Sequence, residues 1–184
     1  MTRLTPTAAQ TVGPFYSYGL LTEEDCVVAG PTALGRHIKL VGKLINRDGN
    51  LCRDALIEIW QADAAGLYKG RDADADPAVK GFGRTLTDEN GSFEFQTVLP
   101  GACPGSGNSW QAPHFAVGLF AGGLTRRVVT RIYTPDSAEL EDDEVLTQLG
   151  KEAAKTLIGR WVSENTLEFD IRLAGEGATA FLQD

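Results

Sequence analysis

Apolar and polar residues alternate along much of this chain. Within residues 167–173 the apolar side chains Leu167, Phe169, Ile171 and Leu173 fall on one side of a period-two ribbon. Glu168, Asp170 and Arg172 fall on the other, the pattern of a strand with one face in a core. The same alternation, with β-branched and aromatic residues enriched, predicts strands at 38–45, 55–60, 92–98, 115–120 and 127–133. Arg47-Asp48-Gly49-Asn50 and Asp88-Glu89-Asn90-Gly91 supply turn residues before the second and third of them. Evenly spaced strands without helical stretches between them predict an all-β chain, a β-sandwich with short turns rather than a βαβ layout. The one helical pattern is at 136–160, where Ala154, Leu157 and Ile158 share a face and Gly150 interrupts the run.

Two segments stand outside this pattern. Residues 70–80 (GRDADADPAVK) are small, charged and aperiodic, as in a loop. Their acids Asp72, Asp74 and Asp76 resemble a calcium loop only in spacing, because the turn glycine and closing glutamate are missing. Residues 11–21 (TVGPFYSYGLL) carry three aromatics and two leucines around a Gly13-Pro14 pair, with no helix or strand period. Left in water they would form an apolar patch, so the expectation is an N-terminal arm, about residues 1–25, covered by the rest of the domain or by a partner chain.

Composition narrows the choice. At 184 residues and 42% hydrophobic content, the chain predicts one domain, 1–184, with its own core. Lys and Arg number 17 against 25 Asp and Glu, and the net charge of -8 disfavours nucleic acid and anionic membrane as partners. No apolar run approaches the ~20 residues of a spanning helix, and the first ten residues lack a signal layout, which predicts a soluble cytoplasmic protein. Cys26, Cys52 and Cys103 are odd in number and widely spaced, a pattern of reduced thiols rather than of disulfides or zinc ligands.

Residues 40–68, LVGKLINRDGNLCRDALIEIWQADAAGLY, resemble the signature of the intradiol ring-cleaving dioxygenases through Gly42, Leu44, Gly49, Ile57, Glu58, Ile59, Gly66 and Tyr68. Cys52 departs from it, standing where an aliphatic residue is usual. The stretches QTVGPF (10–15), GFGRTLTDENGSFEF (81–95), LPG (99–101), APH (112–114), TRIY (130–133) and FDIRLAGEG (169–177) extend the resemblance over nearly the whole chain.

The resemblance implies cleavage of a catechol ring between its hydroxyl-bearing carbons, with O2 as co-substrate and Fe(III) held by two tyrosines and two histidines. Tyr68 matches the first tyrosine. The second falls after LPG, where the chain reads Ala102-Cys103-Pro104. The histidines come as His-x-His on a strand, and here His114 is kept while the second position is Ala116. His37 is the only other histidine; it precedes the first predicted strand, far from the signature. Two of four ligands remain, so the implied Fe(III) belongs to a partner. In two-chain members of the family a homologous β chain carries the iron and the α chain's site is degenerate, which makes Tyr68 and His114 remnants. An independently active site would instead need Tyr16, Tyr18 or Tyr133 as ligands.

In those members the α chain's N-terminal arm lines the substrate cleft at the α/β interface. The matching positions are Thr11, Gly13, Pro14 and Phe15, and an arm that only seals a subunit contact is the alternative. A family arginine near the substrate's ring carboxylate is replaced by Gly122 in LFAGG; Arg126 or Arg127 would take over its role or be ordinary surface residues. The implied product of protocatechuate is 3-carboxy-cis,cis-muconate, in the β-ketoadipate route of aromatic catabolism. A catechol with another substituent, such as 4-sulfocatechol, is the second expectation. A β-sandwich binding module that has lost the chemistry is the third.

Overall fold

The computed structural model describes residues 6–13 and 15–182. Two sheets enclose the main core. In the first, β1 (His37–Ile45) pairs antiparallel with β4 (Ser92–Val98) from His37 opposite Val98 to Lys43 opposite Ser92. Its other edge takes β10 (Thr166–Glu168) and β11 (Ile171–Arg172), both parallel, and β9 (Arg160–Ser163) adds to β10. The second sheet is antiparallel in the order β3 (Phe82–Leu86), β2 (Leu56–Trp60), β7 (His114–Phe120), β8 (Val128–Tyr133). A short hairpin, β5 (Cys103–Pro104) with β6 (Trp110–Gln111), stands apart.

Alternation along the strands builds the core. Ile38, Leu40 and Leu44 of β1 meet Ile57 and Ile59 of β2, Phe93 and Phe95 of β4, and Phe115, Val117 and Leu119 of β7 in one buried cluster. Leu167, Phe169 and Ile171 join it, so the predicted face at 167–173 holds. The predicted continuous strand does not: it divides into β10 and β11. The Lys43 N–H donates to the Asp170 carboxylate at 3.0 Å rather than to a backbone carbonyl, which interrupts the ladder there. Beside that break lies Gly42, where a Cβ would collide with the Phe169 carbonyl and the Phe93 ring. The signature glycine is thus fixed by a close backbone approach.

The helical pattern at 136–160 resolves into a 3-10 turn (Ala138–Glu141), α1 (Glu144–Leu149) and α2 (Lys151–Lys155). Gly150, at φ +79°, divides α1 from α2 as the sequence indicated. Leu157 and Ile158 lie beyond α2, where the Tyr133 N–H donates to the Leu157 carbonyl at 2.9 Å and the Gly159 N–H to the Tyr133 carbonyl at 2.9 Å. These bonds seat the helical segment on the edge of β8 over Ala112, Tyr133, Leu146 and Leu157, a second buried cluster. His37 opens β1 instead of preceding it, exposed, with Nε2 2.9 Å from the Ala33 carbonyl. No helix among the described residues is long and apolar enough to cross a membrane.

Candidate functional site

Tyr68 owes its position to the turn that follows β2. Buried Asp63 accepts hydrogen bonds from Ala65 N and Leu67 N at one carboxylate oxygen and from Asp76 N at the other, while its carbonyl accepts from Gly101 N. This clamp presses the turn against the segment after LPG so tightly that a Cβ on Gly66 (φ +81°) would strike the Ala102 carbonyl. Tyr68 and Cys103 meet as a result, with 3.8 Å between Oη and Sγ. Asp72 accepts from Tyr68 N at 2.8 Å, and the Arg71 guanidinium lies 4.7 Å from the tyrosine ring centroid. Asp72 and Asp76 thus serve the loop's own backbone, Asp76 also accepting from Leu34 N and Ala78 N, whereas Asp74 is exposed. Burial, followed by the neighbouring Cys103, pushes the Tyr68 phenol up and keeps it protonated.

His114 begins β7 opposite Tyr133 of β8, and the two rings lie 5.5 Å apart. Its Nδ1 sits 2.7 Å from the Ala112 carbonyl and so carries the proton. Burial first, and then the charge of Arg131, hold the His114 pKa down to about 4; the Ala112 carbonyl and Asp143 oppose the shift. Ala116, two residues along the same face, lies opposite Arg131 on β8 and Trp60 on β2. From Arg131, Nη1 donates to the Tyr133 hydroxyl at 3.1 Å, and that hydroxyl donates to Asp143 Oδ1 at 3.0 Å. Asp143, fully buried, also accepts from Ala112 N, Val145 N and Leu146 N.

The Tyr68–Cys103 pair and the His114–Ala116 stretch of β7 therefore lie around Arg131, whose charge acts on both Tyr68 and His114. They present a neutral phenol, a thiol, a neutral imidazole and a methyl beside a fixed guanidinium. Tyr133 is engaged with Asp143, and Tyr16 and Tyr18 lie elsewhere. Arg131 and Asp143 are additions to the residues singled out from sequence. Asp143 had a readable signal, an aspartate just ahead of an apolar helical run.

The other candidates collect at the opposite end of β7, about 20 Å away for a seven-residue strand. Thr11 Oγ1 accepts from Gly123 N at 2.8 Å and donates to the Ala121 carbonyl at 3.4 Å, tying the N-terminal segment to the 121–124 turn. A cleft of about 590 Å³ opens there, lined by Val12, Gly13, Tyr16, Arg53, Asp54 and Gly122 among others. The Tyr16 ring rests 5.5 Å from that of Phe120. Phe15 and Tyr18, packed on each other at 5.7 Å, are 76% and 81% exposed, so this chain does not cover them. Pro14 lies outside the described residues. Arg127 folds back across Gly118, where a Cβ would collide with its guanidinium, and faces Glu58 at 4.0 Å. Arg126 is exposed.

The family model described as "Dioxygenase" matches residues 12–175. The chain belongs to the intradiol dioxygenase family. It is similar to the protocatechuate 3,4-dioxygenase alpha chain of Pseudomonas putida, 35% identical over 97% of this chain and 96% of that one. It is also similar to the protocatechuate 3,4-dioxygenase beta chain of Burkholderia cepacia, 35% identical over 79% of this chain and 68% of that one. Among solved structures, the dioxygenase domain of a carbohydrate-binding fusion protein from Streptomyces sp. SirexAA-E superposes with a TM-score of 0.65 at 21% identity, covering 93% of this chain and 99% of that one. Catechol 1,2-dioxygenase from Pseudomonas arvilla C-1 gives 0.63 at 20% identity, over 79% of this chain and 54% of that one. At these identities the structural likeness establishes the intradiol fold, and the sequence relatives carry the membership.

Proposed function

We propose that this chain is the site-completing, non-metal-binding subunit of a two-chain intradiol dioxygenase. Its partner is a homologous β-type chain that holds Fe(III), and its substrate is a ring-substituted catechol, protocatechuate first. The observation that carries this reading is the pair of replaced ligand positions. With Cys103 and Ala116 beside Tyr68 and His114, only one phenol oxygen and one imidazole nitrogen of the implied set remain, and a neighbouring guanidinium repels a cation. Hard ferric iron is not suited by such a site.

Bound on the partner, the metal would polarise a catecholate toward O2, so that the bond between the hydroxyl-bearing carbons breaks and each carbon gains one oxygen atom. This chain's residues have a positioning role. Thr11 ties its segment to the 121–124 turn, which supports an arm whose exposed Phe15 and Tyr18 reach into the partner's cleft, exclude water and orient the ring substituent. Gly122 offers no cation to an anionic ring substituent and Arg127 is engaged with Glu58, so recognition of the substituent falls to the partner, and a catechol with another substituent, such as 4-sulfocatechol, is the second reading.

The test is expression of the chain alone and with a β-type partner, reading iron content, the visible phenolate-to-iron band and ring cleavage. Iron and turnover are expected only with the partner. Stoichiometric iron and cleavage by the lone chain would overturn the proposal. A stable monomer that ignores the β-type chain would point to the binding-module alternative. Turnover of protocatechuate, catechol and 4-sulfocatechol by the complex ranks the substrates.

A further inference from the structure

The four implied ligand positions face a cation that belongs to the chain itself. Arg131 stands opposite Ala116 in the β7–β8 pair, where only a methyl projects, and its guanidinium bonds the hydroxyl of Tyr133, whose ring lies 5.5 Å from that of His114. It is held there. Nη1 donates to the Tyr133 hydroxyl at 3.1 Å, and Tyr133, fully buried, is anchored by the buried carboxylate of Asp143. Arg131, Tyr133 and Asp143 thus form a row in which a hydroxyl bridges one positive and one negative charge. The row is balanced without a metal, and a further cation would enter against an immobile like charge in a half-buried setting, where screening by water is weak.

We propose that Arg131 is the resident cation of this site and keeps metal ions out, so that restoring the lost ligands alone does not restore iron. The proposal rests on the reading of this chain as the non-metal-binding subunit, and it deepens that reading: exclusion is maintained by a residue outside the four ligand positions. A guanidinium suits the role because it stays protonated at any working pH and its planar fork is steered by a single fixed hydroxyl. The two remaining rings are compatible with it, since His114 turns its Nδ1–H to the Ala112 carbonyl and the Tyr68 hydroxyl lies 3.8 Å from Cys103 Sγ.

The experiment uses the full chain in four forms: unmodified, with Cys103→Tyr and Ala116→His together, and with that pair combined with either Arg131→Gln or Arg131→Lys. Each is incubated with ferrous iron in air and desalted. Iron per chain and the visible phenolate-to-iron band are read, and folding is checked by near-ultraviolet circular dichroism. About one iron per chain is expected in the Arg131→Gln form, and about a tenth of that or less in the other three. Arg131→Met in the same background serves as a second neutral replacement if the Gln form does not fold. Equal iron in the Cys103→Tyr, Ala116→His chain with Arg131 intact overturns the proposal while leaving the functional reading in place. A folded neutral variant that stays free of iron overturns it as well. Iron in the unmodified chain defeats the functional reading itself.

Discussion

The Tyr133 hydroxyl donates to Asp143 Oδ1 at 3.0 Å and joins the last residue of β8 to the N-cap of α1. One carboxylate therefore caps a helix through Val145 N and Leu146 N, satisfies the Ala112 N–H just before β7, and anchors the tyrosine against which His114 packs. This buried group thus adds a side-chain tie between sheet and helical segment to the backbone bonds that Tyr133 makes with Leu157 and Gly159.

The two partners are not equally costly to lose. Asp143→Ala removes the cap and leaves the buried Ala112 N–H without an acceptor, which together are expected to cost about 2–4 kcal/mol. Tyr133→Phe keeps the ring in its cluster and removes one hydrogen bond on each side of the hydroxyl, costing about 1–2 kcal/mol. Urea unfolding of both variants checks the order, and a Tyr133→Phe loss as large as that of Asp143→Ala would refute it.

His114 makes stability depend on pH in a defined direction. In the fold its pKa lies at about 4, whereas an unfolded histidine titrates near 6.5. As pH falls from 6.5 toward 4 the unfolded chain takes up a proton that the folded chain does not, so stability declines across that window and levels off below it. The ceiling is about 3 kcal/mol. Carboxylates titrate in the lower part of the same range, so the measurement is the difference between the unmodified chain and His114→Gln. The decline between pH 6.5 and 4 should be shallower in the variant, and parallel curves would show that His114 does not contribute.

Much of the fold was legible because alternation survives local breaks: the face formed by Leu167, Phe169 and Ile171 is intact even though Asp170 splits the strand. The strand β3 was not legible, since Gly83 and Arg84 interrupt any apolar period, and Gly83 is required by contacts with the Val28 side chain and the Asp25 carbonyl from a distant segment. The edge strand β9 buries too little to show a pattern, with Arg160, Val162 and Ser163 all exposed. At the site, Tyr68, Cys103, His114 and Ala116 could be named from motif positions alone. Arg131 could not, because its meeting with the His114 neighbourhood depends on the β7–β8 register and on a tyrosine fixed from the far side by α1.

Gly42→Ala tests the close approach in the signature. The added methyl would occupy the space of the Phe169 carbonyl, which is backbone and cannot step aside without opening the β1 edge. A loss of at least about 3 kcal/mol is expected, seen as insoluble expression or a lowered urea midpoint. Gly49→Ala meets no atom within 4 Å, and its cost comes from φ +83° alone, about 1 kcal/mol. Similar losses for the two would remove the steric account of Gly42.

Gly122→Arg addresses the substrate. Gly122 is exposed, its Cβ would meet nothing within 4 Å, and its φ is not in the left-handed region, so the turn accepts a side chain without strain. It lines the cleft that Thr11 closes by its bonds to Gly123 and Ala121, so a guanidinium there would stand beside the arm proposed to form the substrate wall. A bidentate bond to a ring carboxylate strengthens binding only of substrates that carry one, by about 1–3 kcal/mol. In the proposed two-chain complex, KM for protocatechuate is expected to fall by about fivefold or more while that for catechol stays within about twofold. A sulfonate offers the same pairing geometry, so 4-sulfocatechol should follow protocatechuate if Gly122 faces the ring substituent. Equal changes for all three substrates would place Gly122 away from the substituent and leave substrate choice to the partner chain.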